Sequence, residues 1–216
     1  EVSAPLLIDT EFKGRKIKAA VHAGRNGYLW MLERSADKVG FVEAWPYVNN
    51  NVFTGIDKVT GRLSHDESRK PGMKNKTNSC PSLWGGKDWP PAAYNPQTGY
   101  LYIPANENLC MEMEGEEVEY RPGQQFTGAR TTDFTVTGDH IGELQAWNMR
   151  TGERVWTHEF QSHNWGPVMT TAGGLVFTGG TNDRYFRAFE ATTGRLLWQY
   201  RTNSGITGVP TTFEVD

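Results

Sequence analysis

The sequence lacks long apolar runs, a marked excess of charge and helical periodicity. No apolar stretch approaches the roughly 20 residues that a membrane-spanning helix needs. The net charge of −3 over 216 residues gives no electrostatic footprint for nucleic acid or an anionic membrane surface, so we expect no nucleic-acid partner. Apolar residues instead come in short alternating or continuous runs bounded by Gly, Pro, Asn and Asp, which predicts an all-β fold.

Cysteine is scarce, and the side-chain groupings typical of catalysis are missing. The two cysteines, Cys80 and Cys110, leave two interpretations open: two unpaired buried thiols, or one disulfide in an exported protein. The five histidines do not have the spacing of metal ligands and are interpreted as surface or strand residues. No Gly-rich phosphate loop of the nucleotide-binding type is present. For an enzyme, an organic cofactor is therefore the more economical hypothesis.

A repeated segment is the strongest signal that the sequence does contain. Residues 142–156 recur as residues 184–198, and four matched pairs are each 42 residues apart. The pairs are Ala146 and Ala188, Thr151 and Thr193, Gly152 and Gly194, and Trp156 and Trp198. A period of about 40–50 residues with strand-like aromatic segments is typical of β-propeller blades. We interpret Trp156 and Trp198 as wedges between blades.

Further turns extend the repeat along the chain. Asp57–Gly61 and Asn95–Gly99 resemble the Thr-Gly turns of the two clear repeats, and Met31 stands where Ala146 stands. Asn26-Gly27 predicts a tight hairpin with positive φ at both positions. We count about three to four blades. A complete propeller of six to eight blades needs more residues, so we expect one domain, residues 1–216, that is a section of a longer propeller.

Two stretches fall outside this rhythm, residues 64–79 and 105–138. The second contains an acidic cluster of five glutamates, which we interpret as a solvated loop. They are Glu112, Glu114, Glu116, Glu117 and Glu119. Three tryptophans, Trp84, Trp89 and Trp165, lie in Gly-rich connections instead of repeat positions. Such connections at one end of a propeller are where ligands bind.

Three motifs resemble those of the pyrroloquinoline quinone (PQQ)-dependent alcohol dehydrogenases, the methanol and ethanol dehydrogenase group. They are His22-Ala23-Gly24-Arg25-Asn26-Gly27-Tyr28, Cys80-Pro81-Ser82-Leu83-Trp84-Gly85-Gly86-Lys87-Asp88, and Thr170–Gly179 with Trp165 before it. The resemblance covers almost the whole chain. It implies part of an eight-bladed quinoprotein propeller in the periplasm. PQQ and a calcium or lanthanide ion are the cofactors that it implies.

The resemblance also implies roles for particular residues. Arg25 matches the catalytic, cofactor-binding arginine that contacts the quinone carbonyl oxygens, and Asp88 and Trp165 match further cofactor-binding positions. Cys80 and Cys110 match a family disulfide. Gly24 departs from the aspartate that usually precedes the arginine, which affects how Arg25 is oriented.

The implied reaction is oxidation of a small primary alcohol to an aldehyde by hydride transfer to PQQ, with electrons passing to a periplasmic cytochrome c. The family's catalytic aspartate and metal ligands match no residue of this chain and are expected upstream of it, so we expect the chain alone to be inactive. A homodimer is left open. The alternative is a non-catalytic propeller scaffold of the outer-membrane assembly type. Such scaffolds share the repeat but lack the Arg-Asn-Gly and Gly-Gly-Lys-Asp motifs present here, which favours the enzyme.

Overall fold

A computed structural model describes residues 2–124 and 126–215. Glu1, Gln125 and Asp216, which belong to the predicted domain of residues 1–216, lie outside the described residues. Within the described part the chain is all-β apart from one 3-10 turn at Glu67–Arg69, which confirms the predicted fold class. No helix there is long and apolar enough to cross a membrane.

The strands follow one another as short antiparallel segments. They are β1 Leu6–Phe12, β2 Arg15–Ala23, β3 Tyr28–Arg34, β4 Val39–Pro46, β5 Phe53–Ile56, β6 Leu63–His65, β7 Lys76–Ser79, β8 Ala93–Asn95, β9 Tyr100–Asn106, β10 Leu109–Gly115, β11 Ala129–Val136, β12 Gly142–Asn148, β13 Glu153–Phe160, β14 Met169–Thr170, β15 Leu175–Thr178, β16 Tyr185–Glu190 and β17 Leu196–Arg201.

Three four-stranded sheets form the blades. The first blade is β1–β4, the second contains β8, β9, β12 and β13, and the third is β14–β17. Two smaller sheets lie between their strands in sequence, the β5–β6 hairpin and a three-stranded sheet of β7, β10 and β11, here called the insertion sheet. The turn at Asp57–Gly61 belongs to the hairpin and to no blade. The predicted three to four blades are therefore three.

The register confirms the repeat. Ala146 pairs with Trp156 and Ala188 pairs with Trp198, and a β-bulge follows each alanine. A bulge also follows Met31 in the first blade, so Met31 does occupy the position of Ala146. A bulge at the same place in all three blades shows that each is built on one pattern.

Tryptophans join each blade to the next. The side chain of Trp156, 9% exposed, donates from Nε1 to the carbonyl of Ala191 in the third blade at 3.0 Å. A Cβ on Gly194 would lie 2.6 Å from the Trp156 ring, so only glycine leaves room for the indole. Trp45 meets Gly152 in the same way. Trp156 is thus the predicted wedge, whereas Trp198 is 49% exposed and contacts no later blade among the described residues.

The stretch between β9 and β12 is an insertion into the second blade. Its strands β10 and β11 pair with each other, and β10 also pairs with β7. The prediction that residues 105–138 fall outside the blades is confirmed from residue 107 onward, whereas Ala105 and Asn106 end β9 of the second blade. The interpretation of the acidic cluster as a loop is wrong for Glu112 and Glu114, which lie in β10. Alternation with apolar residues such as Met111 and Met113 makes this segment a strand with one polar face.

The predicted disulfide is present. Cys80 and Cys110 are linked, with their Cα atoms 4.4 Å apart. The link ties the loop that precedes β8 to the insertion sheet. Of the two interpretations that spacing alone left open, the disulfide is therefore the one that the structure shows.

The hairpin predicted at Asn26-Gly27 differs in its turn. Gly27 has a positive φ of 84°, but Asn26 does not. The turn spans four residues, because the amide of Gly24 donates to the carbonyl of Tyr28 at 2.9 Å. The Asn26 side chain stabilises this wider turn by accepting from the amide of Tyr28 at 3.2 Å.

Candidate functional site

Three segments meet at one end of the blades, where β9 ends and β12 begins. Gly86, in the loop before β8, donates its amide to the carbonyl of Arg25 at 3.0 Å and accepts from the amide of Asn106 at 2.7 Å. Arg25 lies in the β2–β3 turn of the first blade, and Asn106 ends β9 of the second. A Cβ on Gly86 would lie 2.5 Å from Val48, so this junction forms only around a glycine.

Arg25 and Asp88 converge at this junction. Arg25 Nη2 lies 3.8 Å from Asp88 Oδ2, with the two side chains 31% and 15% exposed. The same guanidinium donates to the carbonyl of Leu83. Arg25 therefore presents a permanent charge of fixed orientation. The prediction that residues 63 positions apart share one site holds for this pair.

Lys87 is a site residue that the sequence analysis did not single out. It is 2% exposed, and its Nζ donates to the carbonyl of Asp88 at 2.9 Å. Lysine is rarely buried without a compensating partner. The Gly-Gly-Lys-Asp motif gives no signal of this burial, which follows from tertiary packing.

Trp165 belongs to a cluster of aromatic rings. Its indole lies 5.2 Å from that of Trp84, which follows Leu83 in sequence. His163 packs against both indoles, at 5.6 Å from Trp84 and 5.7 Å from Trp165, and burial lowers the pKa of His163. Phe134 from the insertion sheet closes the group, 4.4 Å from Trp84. The structure thus places Trp165 in an aromatic cluster with Trp84, and a site that Trp165 shares with Arg25 and Asp88 stays a prediction.

A second polar cluster lies at the same end of the second blade. His140 Nε2 contacts Glu143 Oε1 at 2.9 Å, and His140 Nδ1 contacts Asp139 at 2.8 Å. Burial acts to lower the pKa of His140, but the hydrogen bonds to Asp139 and Glu143 outweigh it, so the pKa is raised. Burial and then the charge of Glu143 raise the pKa of Glu107. The interpretation of His140 as a surface or strand residue is wrong, because its side chain is mostly buried among carboxylates.

This cluster connects to the tryptophan loop through one side chain. Asn164 donates from Nδ2 to the carbonyl of Glu143 at 3.0 Å, and its Oδ1 accepts from the amide of Gly166 at 3.0 Å. The loop that holds Trp165 is therefore fixed to β12. In the part of the chain that the structure describes, no group of three or more His, Cys, Asp or Glu residues is placed to hold a metal ion.

Three blades define the chain as a segment of a β-propeller. Arg25 and Asp88 form a polar site at one end of these blades, here called the end site. A family profile described as "Glucose/ethanol/alcohol dehydrogenase, beta-propeller domain" matches residues 157–216. The chain is 39% identical to the "Quinoprotein alcohol dehydrogenase PedH" of Pseudomonas putida, over 97% of this chain and 36% of that protein. It is 38% identical to the "Lanthanide-dependent methanol dehydrogenase" of Methylacidiphilum fumariolicum, over 98% of this chain and 35% of that protein.

A solved structure shows the same fold. The "Europium-containing methanol dehydrogenase" superposes with a TM-score of 0.88 at 35% identity, over 96% of this chain and 36% of that chain. The predicted resemblance is confirmed, and the chain is homologous to the propeller of quinoprotein alcohol dehydrogenases. It spans about a third of the length of the curated relatives that it matches.

Proposed function

We propose that the protein containing this chain oxidises a primary alcohol to an aldehyde with PQQ as the electron acceptor. The observation that carries the proposal is the meeting of Arg25 and Asp88 at 3.8 Å. Each belongs to a motif that distinguishes the dehydrogenases from propeller scaffolds. The homology to quinoprotein alcohol and methanol dehydrogenases supports the same reaction class.

The residues at the end site fit PQQ chemically. PQQ is a planar quinone that bears carboxylates, so it needs N–H donors and a flat apolar surface. The guanidinium of Arg25 supplies the donors and is 31% exposed, and the indole of Trp165 supplies a flat ring edge. Arginine suits such a ligand because its planar fork donates in two parallel directions.

This chain's part in the reaction is to bind PQQ and to polarise its carbonyl groups. PQQ, when bound, supplies the acceptor for two electrons from the alcohol. Arg25 would hold its carbonyl oxygens, and the fixed positive charge favours the negative charge that they gain. Asp88 orients the guanidinium, and Lys87 fixes the backbone of Asp88 through its 2.9 Å hydrogen bond. The aromatic cluster around Trp84 and Trp165 shields this side of the site from water.

The proposal extends to compartment, metal and partner. A calcium or lanthanide ion assists the reaction in the periplasm, and a cytochrome c accepts the electrons. The disulfide between Cys80 and Cys110 supports an oxidising compartment. Homology to lanthanide-dependent methanol dehydrogenases supports the metal.

Replacing Arg25 by lysine in the whole protein, loaded with PQQ, tests the proposal. Lysine keeps the charge but loses the planar fork, so we expect kcat/KM to fall on the order of 10²-fold. The free energy of unfolding should change little. Arg15→Lys is the matched control, because Arg15 pairs with Glu33 on the surface at 2.8 Å. Wild-type protein that neither binds PQQ nor oxidises alcohols would overturn the proposal in favour of a scaffold.

A further inference from the structure

A cavity of about 510 Å³ lies between the β5–β6 hairpin, the 3-10 turn, the loop after Cys80 and the insertion sheet. Its lining includes Arg25 but neither Asp88 nor Trp165. Ligand cavities typically measure about 300–1,000 Å³, so its size suits a small organic molecule.

The cavity wall is largely apolar. Six apolar residues line it, namely Val52, Phe53, Pro71, Pro81, Leu83 and Met113. Leu83 is among the exposed large hydrophobic residues of the chain, which is costly unless something covers it. Phe53 is held in place by an edge contact with Tyr28 at 5.9 Å between ring centroids. An inorganic ion would leave this apolar surface uncovered.

The charged part of the wall is mainly basic. Three side chains that are cationic at neutral pH line the cavity, Arg25, Arg69 and Lys70, against one carboxylate, Asp66. Two of the cations also face carboxylates beside the cavity, since Lys70 lies 3.4 Å from Glu67 and Arg25 lies 3.8 Å from Asp88. Asp66 is already engaged, because its Oδ1 accepts from the amide and the hydroxyl of Ser68 at 2.9 and 2.7 Å. The whole chain has a net charge of −3, so a basic cavity runs against the overall balance. Positive charge beside low-dielectric walls attracts anions.

From these observations we infer that the cavity binds an organic anion, a carboxylate with a compact apolar body such as an aromatic ring. The carboxylate pairs with Arg69 and takes the place of Glu67 beside Lys70, which lies 3.4 Å from Glu67 in this structure, and the apolar body covers Leu83 and Met113. Arginine favours carboxylates because the two planar groups match. Because Arg25 lines both this cavity and the end site, an occupant also changes the surroundings of the guanidinium that faces Asp88.

Titration of the whole protein, prepared without PQQ, with phenylacetate tests the inference without turnover. Binding is followed by calorimetry and by the NMR signal of the Met113 methyl group. We expect saturable binding that shifts this signal, with weaker binding of 2-phenylethanol, which lacks the charge, and of inorganic phosphate, which lacks the ring. The Arg69→Gln/Lys70→Gln variant should bind phenylacetate at least about tenfold more weakly.

The control variant Lys16→Gln/Lys74→Gln removes the same charge outside the cavity and should keep the wild-type affinity. Three results would overturn the inference: no saturable binding, equal affinity for 2-phenylethanol, or equal loss in both double variants. Binding of phosphate as tight as that of phenylacetate would also overturn it, since the site would then be a basic patch without an apolar part. None of these results depends on whether the whole protein oxidises alcohols.

Discussion

At the residue scale, Gly86 is the point through which the site is assembled. Its amide donates to the carbonyl of Arg25 in the first blade, and its carbonyl accepts from the amide of Asn106 in the second blade. A Cβ added to Gly86 would lie 2.5 Å from Val48 and 2.9 Å from the hydroxyl of Tyr47. The close approach of Val48 and Tyr47 therefore requires a glycine at position 86. The contact between Arg25 and Asp88 depends on this glycine.

Replacing Gly86 by alanine should destabilise the fold by about 1–3 kcal/mol, since the added methyl group overpacks a buried contact. Urea unfolding measures the loss. Gly40→Ala serves as the control, because a Cβ there meets nothing within 4 Å and its effect should be small. Equal stability of Gly86→Ala and wild type would show that Tyr47 and Val48 give way easily.

His140 makes stability depend on pH. Its pKa is raised because hydrogen bonds to Asp139 and Glu143 outweigh the opposing effect of burial. Because folding raises the pKa of His140, its protonated form stabilises the fold. This stabilisation is complete at pH values below the ordinary histidine pKa of about 6.5. That stabilisation is lost as the pH rises through the raised value. His158 and His163, whose pKa values are lowered by burial, act in the opposite direction.

The variant His140→Gln isolates this contribution. We expect wild type to exceed the variant in free energy of unfolding at pH 6, and the difference to shrink by pH 9. Urea midpoints of both proteins at the two values give the comparison. A difference that grows with pH would contradict the raised pKa, whatever the absolute stabilities.

At the scale of elements, the equivalent tryptophans of two outer strands, Trp156 and Trp198, have different surroundings. In the second blade Trp156 packs on Gly194 and hydrogen-bonds Ala191. In the third blade Trp198 is 49% exposed, although its cross-strand pairing with Ala188 repeats that of Trp156 with Ala146. The repeat thus provides two equivalent positions that differ in whether another blade among the described residues covers them.

Alanine variants of the two tryptophans should therefore differ in cost. Trp156→Ala is expected to lose about 3–5 kcal/mol, as for a buried large aromatic residue. In the 216-residue chain by itself, Trp198→Ala should lose roughly 1 kcal/mol or less, as for a surface residue. Denaturant unfolding of both variants is the measurement. Similar losses would mean that the wedge does not link the second and third blades.

The sequence predicted the elements that follow a local rule and missed those that depend on distant pairing. The turns ending at Gly152 and Gly194 are coded by adjacent residues, so the blades could be counted from the repeat. The insertion sheet could not be predicted, because β10 pairs with β7, which lies more than 30 residues earlier in the chain. The glutamates of β10 also have the composition of a loop. At the site, Arg25 and Asp88 were predicted through motif resemblance. Lys87 was not, since its burial follows from packing.

At the scale of the whole molecule, stability is shared between neighbouring blades. One buried cluster joins the first and second blades, and another joins the second and third. The second blade therefore has two covered faces. Among the described residues the third has one, and every residue of its outer strand β17 is exposed there. In such quasi-linear arrays stability is a sum of unit and interface contributions.

Amide hydrogen exchange of the 216-residue chain by itself should follow this arrangement. We expect the slowest exchange in β9 and β12 of the second blade and the fastest strand exchange in β17, because local opening is easiest where few apolar contacts are lost. In Trp156→Ala, exchange should accelerate in the third blade and stay nearly unchanged in β1 and β2, which belong to the other interface. Mass spectrometry of peptides from each blade resolves the three regions. Uniform acceleration across all blades would show that the molecule opens as one cooperative unit, and protection of β17 equal to that of β12 would show that the third blade does not depend on its neighbour.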